Sequence, residues 1–304
     1  MTADLTNPIF TDEDAARRHF EAIRWPNGPI CPTCGEGKTV AKLGGKSMGD
    51  GWYHCRACRR KFTAAVGTIF HRSHIPLHKW MLAMHLMCSS KKGMSAHQLF
   101  RGMGMTYKSA WFMAHRIREA MRELHPQGSD QLGGAGKTVE ADETYVGGKA
   151  ASRKNYIPPK EAAVALVERQ GKVRSFHVAT VNGANLKPIL KDQIDKRSYI
   201  ITDDSPVYPP ITGEFAGHGT VNHSAQEYVR GYFWHTNTVE NYFSIFKRGI
   251  IGTYHHVSPQ HLKRYLAEFD FRYNERAALN VTDKDRATKA VAGVVGKRVT
   301  LLPT

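Results

Sequence analysis

The sequence predicts a mixed-sheet α/β domain that follows a small cysteine-bearing β unit and a helical segment. Three observations predict this order: two closely spaced C-x-x-C pairs, a helical hydrophobic period after residue 75, and alternating strand-like and helix-like segments beyond a glycine-rich stretch. A chain of 304 residues has room for two or three folding units. We expect the N-terminal part with the cysteine-bearing β unit at 1–75, the helical segment at 76–126 and a linker at 127–137. The α/β domain is expected at 138–280 and a loosely packed basic tail at 281–304.

The composition favours a polyanionic partner. The chain has 43 lysines and arginines against 27 aspartates and glutamates, a formal net charge of +16, and nucleic acid is the partner that such an excess indicates first. A content of 41% hydrophobic and 23% charged residues excludes a mostly disordered or fibrous chain. Because no apolar stretch approaches ~20 residues and the N-terminal segment lacks a secretory pattern, we expect a cytoplasmic protein without a membrane partner.

The N-terminal part begins with a predicted amphipathic helix at 11–24, with Thr11 as its N-cap. Four of the five cysteines then predict a zinc ribbon at about 25–68, because two C-x-x-C knuckles at this separation allow four thiolates to converge on one structural Zn²⁺. These four cysteines are Cys31, Cys34, Cys55 and Cys58. Two disulfides are the alternative, which the expected reducing compartment disfavours. We expect Cys88, which lies in an apolar run, to be a core residue.

From Pro76 onwards the sequence predicts helices separated by a glycine-bearing turn. Helix, turn and helix at 95–122 suggest a helix-turn-helix, in which Thr106 caps a recognition helix over 106–122. A helical hairpin that links two domains explains the same pattern. Four basic side chains of the last helix are candidates for DNA contact: Lys108, His115, Arg116 and Arg118.

The predicted α/β domain has five strands and three helices. The strands are expected at 138–146, 162–167, 173–181, 199–202 and 219–222, and the helices at 185–195, 238–248 and 258–272. A three-stranded meander followed by a helix and a further strand is typical of a mixed sheet. In the first strand, period-two alternation places four side chains on one face: Glu140, Asp142, Thr144 and Val146.

Acidic residues in this domain suggest a site for divalent cations. Asp142 lies in the first strand, Asp203 and Asp204 follow the strand at 199–202, and Glu240 lies in the first turn of the helix at 238–248. If these carboxylates converge, they form a hard oxygen site for two Mg²⁺ or Mn²⁺ ions. In so basic a protein the expected substrate is a phosphodiester, which two ions would activate for in-line displacement.

Each acidic residue also has an ordinary structural explanation. Asp203 and Asp204 follow a strand, where aspartates often form Asx turns. Glu240 lies three residues after Asn237, which is the spacing of a capping box. Asp142 is explained equally well as a solvent-facing strand residue.

Five motifs together resemble the zinc-ribbon DDE transposases of bacterial insertion sequences, which are related to the eukaryotic Merlin elements. The motifs are C-P-T-C-G, C-R-A-C-R-R-K-F-T, D-E-T-Y-V-G-G-K, T-D-D-S-P-V-Y and H-T-N-T-V-E-N-Y-F-S-I-F-K-R-G, and the resemblance covers residues 10–276. It implies an RNase H-like catalytic fold, binding of terminal inverted repeats, and two-metal DNA cleavage with strand transfer. It also implies a nucleoid-associated protein.

The resemblance assigns the catalytic triad to Asp142, Asp203 and Glu240. Thr202 and Tyr208 fit the family pattern around Asp203, and Asp204 is the fallback for the second acid. Part of the family has Asn at the third position, so the neighbouring Asn237 and Asn241 are alternatives to Glu240. Basic side chains that we expect to meet DNA phosphates are Lys149, Arg153, Lys154, Lys160, Lys247 and Arg248, and histidines that could orient DNA or a metal-bound water are His235, His255 and His256.

The expected partner is double-stranded DNA, both the terminal inverted repeats and the target. Because two element ends must be brought together, the resemblance implies a homodimer or larger assembly on DNA.

Two other functions fit the same sequence: a DNA-binding regulator with an inactive catalytic fold, and a metal-dependent nuclease without joining activity.

Overall fold

The computed structural model describes residues 4–45, 48–123, 130–147, 160–221 and 233–299. The chain divides into two compact units. One unit extends to Arg122 and also includes the segment from Arg276 onwards, and the other extends from Glu123 to Glu275. In the described residues, no helix is both long and apolar enough to cross a membrane.

The first unit begins with helix α1 (Glu13–Arg24) and a three-stranded antiparallel sheet. The N-cap of α1 is Asp12, whose side chain accepts a hydrogen bond from Ala15 N, so the prediction of Thr11 was wrong by one residue. The strands of the sheet are β1 (Val40–Leu43), β2 (Trp52–Cys55) and β3 (Lys61–Thr63), and β2 lies in the middle.

Four helices complete the first unit. They are α2 (Leu77–Ser89), α3 (Ala96–Met103), α4 (Tyr107–Met121) and α9 (Asp283–Ala292). Thr106 is the N-cap of α4 as predicted, since its hydroxyl accepts a hydrogen bond from Ser109 N. A left-handed Gly104 with φ +58° ends α3 and permits the tight turn. Glu13 of α1 accepts hydrogen bonds from the first two backbone N–H groups of α2, which Pro76 cannot cap with a side chain.

The basic segment after residue 280 differs from the expected loose tail. Thr282 and Asp285 form a capping box at the start of α9, and Ala290 and Val291 of this helix are buried. The helix packs against α1, α2 and α4. The C-terminal segment is therefore part of the core of the first unit as far as the structure describes it.

The second unit contains a five-stranded mixed sheet in the order β6-β5-β4-β7-β8. The strands β4, β5 and β6 pair antiparallel, whereas β7 is parallel to β4 and β8 is parallel to β7. Their bounds are Thr138–Gly147 for β4, Lys160–Glu168 for β5, Val173–Val178 for β6, Tyr199–Asp203 for β7 and Gly217–Val221 for β8.

Helices cover both faces of this sheet. On one face α5 (Gly183–Gln193) and the short α6 (Pro209–Thr212) pack against Val139 and Ala141 of β4. On the other face α7 (Asn237–Gly249) and α8 (Leu262–Asn274) pack against residues that include Val146. The alternation predicted for the first strand is therefore confirmed, and it directs Asp142 to the α7 and α8 face.

Candidate active site and metal centre

The four cysteines of the ribbon converge. Cys31 Sγ lies 3.6 Å from Cys58 Sγ, and Cys34 Sγ lies 3.6 Å from Cys55 Sγ. All four sulfur atoms lie within 4.8 Å of one another. Zn–S bonds of about 2.3 Å in a tetrahedron require sulfur atoms ~3.8 Å apart, whereas a disulfide requires ~2.05 Å. The set therefore fits one structural zinc ion.

The backbone of each knuckle turns tightly around the thiols. Gly35 has φ +77° after the first pair and Arg59 has φ +57° after the second, so both knuckles use the left-handed region. Arg24 fastens the ribbon to α1, since its guanidinium donates to the carbonyl of Val66 at 2.8 Å and to that of Ala64. The apolar core of the ribbon is a small cluster of the Trp25, Tyr53 and Phe62 rings, so zinc binding would supply much of the folding free energy of the ribbon.

The register of the two central parallel strands aligns Asp142 with Asp203. Glu140 of β4 pairs with Ile201 of β7, and both aspartates lie two residues further along their strands. Paired residues of neighbouring strands project to the same face, and the strands lie about 4.8 Å apart. The two aspartates are therefore neighbours on the face that α7 covers.

Asp142 is mostly buried, and its environment opposes ionisation. Burial raises the pKa of its carboxyl to about 7, and the negative charges of Glu143, Asp203 and Glu240 act in the same direction. One hydrogen bond, donated by Glu143 N at 2.7 Å, favours the charged form. The solvent-facing interpretation of Asp142 is not supported, because its carboxyl is mostly buried.

Asp203 and Asp204 differ in exposure. Asp203 is half-buried at the end of β7, while Asp204 is exposed. Asp203 Oδ1 accepts a hydrogen bond from Ser205 N at 3.2 Å, which is the contact of an Asx turn. This contact coexists with the position of Asp203 beside Asp142.

Glu240 lies in the fourth position of α7, and the capping-box interpretation is wrong. The N-cap of α7 is Thr236, whose hydroxyl donates to Glu240 Oε1 at 2.7 Å. The backbone N–H groups of Thr238 and Val239 donate to a residue of β4, Glu140, at 2.8 and 3.0 Å. Because Glu140 of β4 already accepts hydrogen bonds from these N–H groups, Glu240 is not needed as a cap for α7.

Glu140 is the important residue that sequence reasoning missed. Its side chain has no exposed surface, and Arg169 Nε donates to its Oε1 at 2.6 Å. The available signal was its position on the same strand face as Asp142. Nothing in the local sequence indicated that its partners come from the turn after β5 and from the start of α7.

A second buried contact ties the loop after β7 to β4. Tyr208 is fully buried and its hydroxyl donates to Glu143 Oε2 at 2.6 Å. Burial raises the pKa of the Tyr208 hydroxyl, and the adjacent Glu143 charge adds to this effect. The contact anchors the loop that follows Asp203 to the strand that carries Asp142.

The three acids do not form a compact group of possible metal ligands as the thiols do, as far as the described residues show. Among the described residues, only the four cysteines form a group of three or more ligand atoms within 4.8 Å of one another. Like charges in a poorly solvated site repel, which opposes closer approach of carboxylates. Carboxylate oxygens nevertheless are the donors that Mg²⁺ and Mn²⁺ prefer, so the donor set fits these ions.

The basic residues proposed for DNA contact fall into three groups. Lys108, Lys160, Lys247 and Arg248 are exposed. His115 and Arg118 are buried, and Arg116 donates to the carbonyl of Ile69 at 2.6 Å while it stacks over the ring of Phe112. Burial of His115 and Arg118 in the first unit does not support their predicted contact with DNA, whereas the contact of the half-buried Arg116 with DNA stays a prediction. Lys149, Arg153 and Lys154 lie outside the described residues.

The three histidines near α7 also differ in position. His235 Nδ1 lies 3.3 Å from Glu140 Oε1. His255 and His256 are exposed, and His255 has a positive φ of +60°. Only His235 is therefore next to the carboxylates of this face.

Comparison with known proteins assigns a class to this fold and site. Residues 131–274 match the family model of the ISXO2-like transposase domain, and residues 11–61 match the transposase zinc-ribbon domain. Both matches are to domains of transposases. Together they cover more than half of the chain, which belongs to the zinc-ribbon family of insertion-sequence transposases.

A curated relative and two solved structures are also similar to the chain. The relative is an uncharacterized protein in the transposable element ISH50 of Halobacterium salinarum, 27% identical over 286 residues that cover 86% of this chain and 91% of the relative. A chain of the simian T-cell lymphotropic virus intasome, in complex with PP2A regulatory subunit B56 gamma, is 16% identical at a TM-score of 0.28, covering 57% of this chain and 63% of that one. A pre-cleavage Mos1 transpososome chain is 12% identical at a TM-score of 0.20, covering 62% and 78%.

Proposed function

We propose that the protein is a DDE transposase that binds the terminal inverted repeats of its element, cleaves DNA and joins the freed 3′-hydroxyl to a target. The second unit is then an RNase H-like catalytic domain. The sheet order supports this proposal, since three antiparallel strands are followed by two parallel strands and helices cover both faces.

The observation that carries the proposal is the common face of the three acids. Asp142 and Asp203 are neighbours across β4 and β7, and the charge of Glu240 reaches Asp142 from α7. We propose that these three residues hold two Mg²⁺ or Mn²⁺ ions. Bound there, the ions would stabilise the attacking and leaving oxygens of an in-line phosphodiester displacement.

The protein groups prepare this site in two ways. The Thr236 hydroxyl fixes one oxygen of Glu240, and the Glu143 N–H fixes one oxygen of Asp142, so both carboxylates have restricted orientations. Burial raises the pKa of Asp142 to about 7 and the neighbouring carboxylate charges add to this effect, and cation binding would relieve the repulsion between these charges.

DNA binding is proposed for exposed cations in both units. Lys108 is exposed in the first turn of α4, where we propose that it contacts a DNA phosphate. Lys247 and Arg248 in the last turn of α7 would neutralise DNA phosphates. The same role is proposed from the sequence alone for Lys149, Arg153 and Lys154, which lie outside the described residues. Two element ends require a homodimer or larger assembly on DNA.

An assay with labelled element ends, a target plasmid and Mg²⁺ or Mn²⁺ tests the proposal. We expect joined products from the wild-type protein and none from Asp142→Asn. Cleaved ends without joined products would instead identify a nuclease. A gel shift without cleavage would identify a DNA-binding regulator.

A further inference from the structure

We infer that Glu140 is a positioning residue that sets α7, and with it Glu240, against the strand that carries Asp142. This inference rests on the proposed function for its consequence in catalysis. Its structural basis is a set of contacts between β4, the turn after β5 and the start of α7.

The Glu140 carboxylate accepts four hydrogen bonds. Oε1 accepts from Arg169 Nε at 2.6 Å and from Thr238 Oγ1 at 2.9 Å. Oε2 accepts from the backbone N–H groups of Thr238 at 2.8 Å and Val239 at 3.0 Å. A carboxylate with no exposed surface is stable in this place because a guanidinium and a helix N-terminus both favour its charge.

Arg169 holds the chain just before α7 from the other side. Its terminal nitrogens donate to the carbonyl oxygens of Phe233 at 2.7 Å and His235 at 2.8 Å. The guanidinium also lies over the Phe233 ring, 5.2 Å from its centroid. Glu140 therefore binds backbone donors of the first turn of α7, and its partner Arg169 binds backbone acceptors that immediately precede that turn.

These contacts connect two catalytic acids through short segments. Glu140 lies two residues before Asp142 on the same face of β4, about 6.6 Å along the strand. Val239, the second backbone donor to Glu140, is followed directly by Glu240. A shift or rotation of α7 relative to β4 would thus change the separation of the Asp142 and Glu240 carboxylates at once.

The chemistry of the contacts requires a carboxylate of this length. In Glu140→Gln an amide NH₂ would face N–H donors, and the Arg169 charge would lose its counter-ion. In Glu140→Asp the charge remains, but the shorter side chain cannot reach both Arg169 and the backbone of α7 without a shift.

The test compares Glu140→Gln and Glu140→Asp with a matched buried pair on α8. Glu268 has no exposed surface and accepts hydrogen bonds from Arg272 and from Tyr254, which follows α7 rather than starting it. Glu268→Gln thus removes a comparable buried charge that does not contact the start of α7. Two quantities are measured in the full-length protein: hydrogen exchange of the peptide that covers 236–241, and the Mn²⁺ concentration for half-maximal cleavage.

We expect both Glu140 variants to exchange faster at 236–241 and to need at least about tenfold more Mn²⁺, the range typical when a group that orients a metal ligand is lost. Glu268→Gln should lower the melting temperature without either effect. If Glu140→Gln does not fold, Arg169→Lys is compared with Glu268→Gln in its place. The lysine keeps the positive charge but loses the hydrogen bonds to the Phe233 and His235 carbonyls.

Three outcomes would overturn the inference. They are unchanged exchange at 236–241 in the Glu140 variants, faster exchange without a higher Mn²⁺ requirement, and an equal rise in that requirement in Glu268→Gln. Failure of the wild-type protein to cleave DNA would count against the proposed function instead, and the exchange measurement would still decide whether Glu140 holds α7.

Discussion

Asp142 is the residue of the proposed site at which protonation would compete most directly with metal binding. Its folded-state pKa of about 7 lies above the ordinary value of 3.8, so the folded protein binds this proton more tightly than the unfolded chain. The resulting stabilisation is complete below about pH 4 and is lost as the pH rises towards 7 and above. Divalent cations should reverse this loss.

We therefore predict that, without divalent metal, the melting temperature of Asp142→Asn rises relative to that of the wild type as the pH increases from 5 to 8. An asparagine has no charge to lose, so its contribution does not change over this range. Thermal unfolding in a chelating buffer at several pH values measures the difference. A gap between the two proteins that does not change with pH would contradict the raised pKa.

Glu240→Gln should separate catalysis from helix capping. Because Glu140 caps α7 and the glutamine amide oxygen can still accept the Thr236 hydrogen bond, we expect the variant to fold with a change in stability of about 1 kcal/mol or less. Its cleavage should fall by about 10² or more, since the amide cannot supply the negative charge that a divalent ion requires.

Two asparagines are the controls for this variant. Asn237 and Asn241 are exposed and neither is the N-cap of α7, so their alanine variants should keep both stability and cleavage. Single-turnover cleavage of labelled ends measures all three. Wild-type cleavage by Glu240→Gln beside an inactive Asn variant would move the third ligand to that asparagine.

The candidate acids could be named from the sequence, but the groups that orient them could not. Asp142 and Asp203 stand at recognisable positions in and after strands. In the sequence, nothing distinguishes Glu140 from other glutamates in strands. Its partner Arg169 is 29 residues away along the chain, and the backbone donors of α7 are 98 and 99 residues away. Only the tertiary structure brings them together.

At the scale of elements, the zinc ribbon should depend on its metal while the second unit does not. The ribbon has a small core, so the loss of one thiolate removes much of its folding free energy. We predict that Cys34→Ser loses its zinc and binds element ends more weakly. Metal analysis and end-binding titrations measure this, and full zinc occupancy in the variant would contradict the four-cysteine site.

Helix α4 should contribute to DNA binding through its first turn only. We predict that Lys108→Ala reduces the slope of log K against log salt concentration by about 1, because one phosphate contact is lost. Arg116→Ala should instead lower the melting temperature, since it removes the hydrogen bond to the Ile69 carbonyl. Binding titrations over a salt series separate the two, and an unchanged slope in Lys108→Ala would contradict its phosphate contact.

Helices could be predicted where capping residues mark their first turn, but not where their burial depends on distant segments. Thr106 caps α4 as expected. Thr282 and Asp285 carry an equally clear capping-box pattern at the start of α9, yet the basic composition of the segment suggested a loose tail. The partial burial of α4 was beyond prediction, because it depends on packing within the first unit.

At the scale of the whole molecule, the sequence predicted the mixed sheet and its helices but not the strand register. The register matters most between β4 and β7, since a shift by one residue would turn one aspartate to the opposite face of the sheet. Such alignment is set by packing on both faces. The common face of Asp142, Asp203 and Glu240 is thus a property of the folded unit.

The most direct test of the proposed chemistry is metal-dependent joining of labelled ends to a target by the wild type, Asp142→Asn, Asp203→Asn and Asp204→Asn. Asp204 is the matched control, because it is exposed and adjacent to Asp203. We predict joined products from the wild type and Asp204→Asn, and a loss of about 10³ or more in the other two. Joining by Asp142→Asn or Asp203→Asn at the wild-type rate would contradict the proposed site.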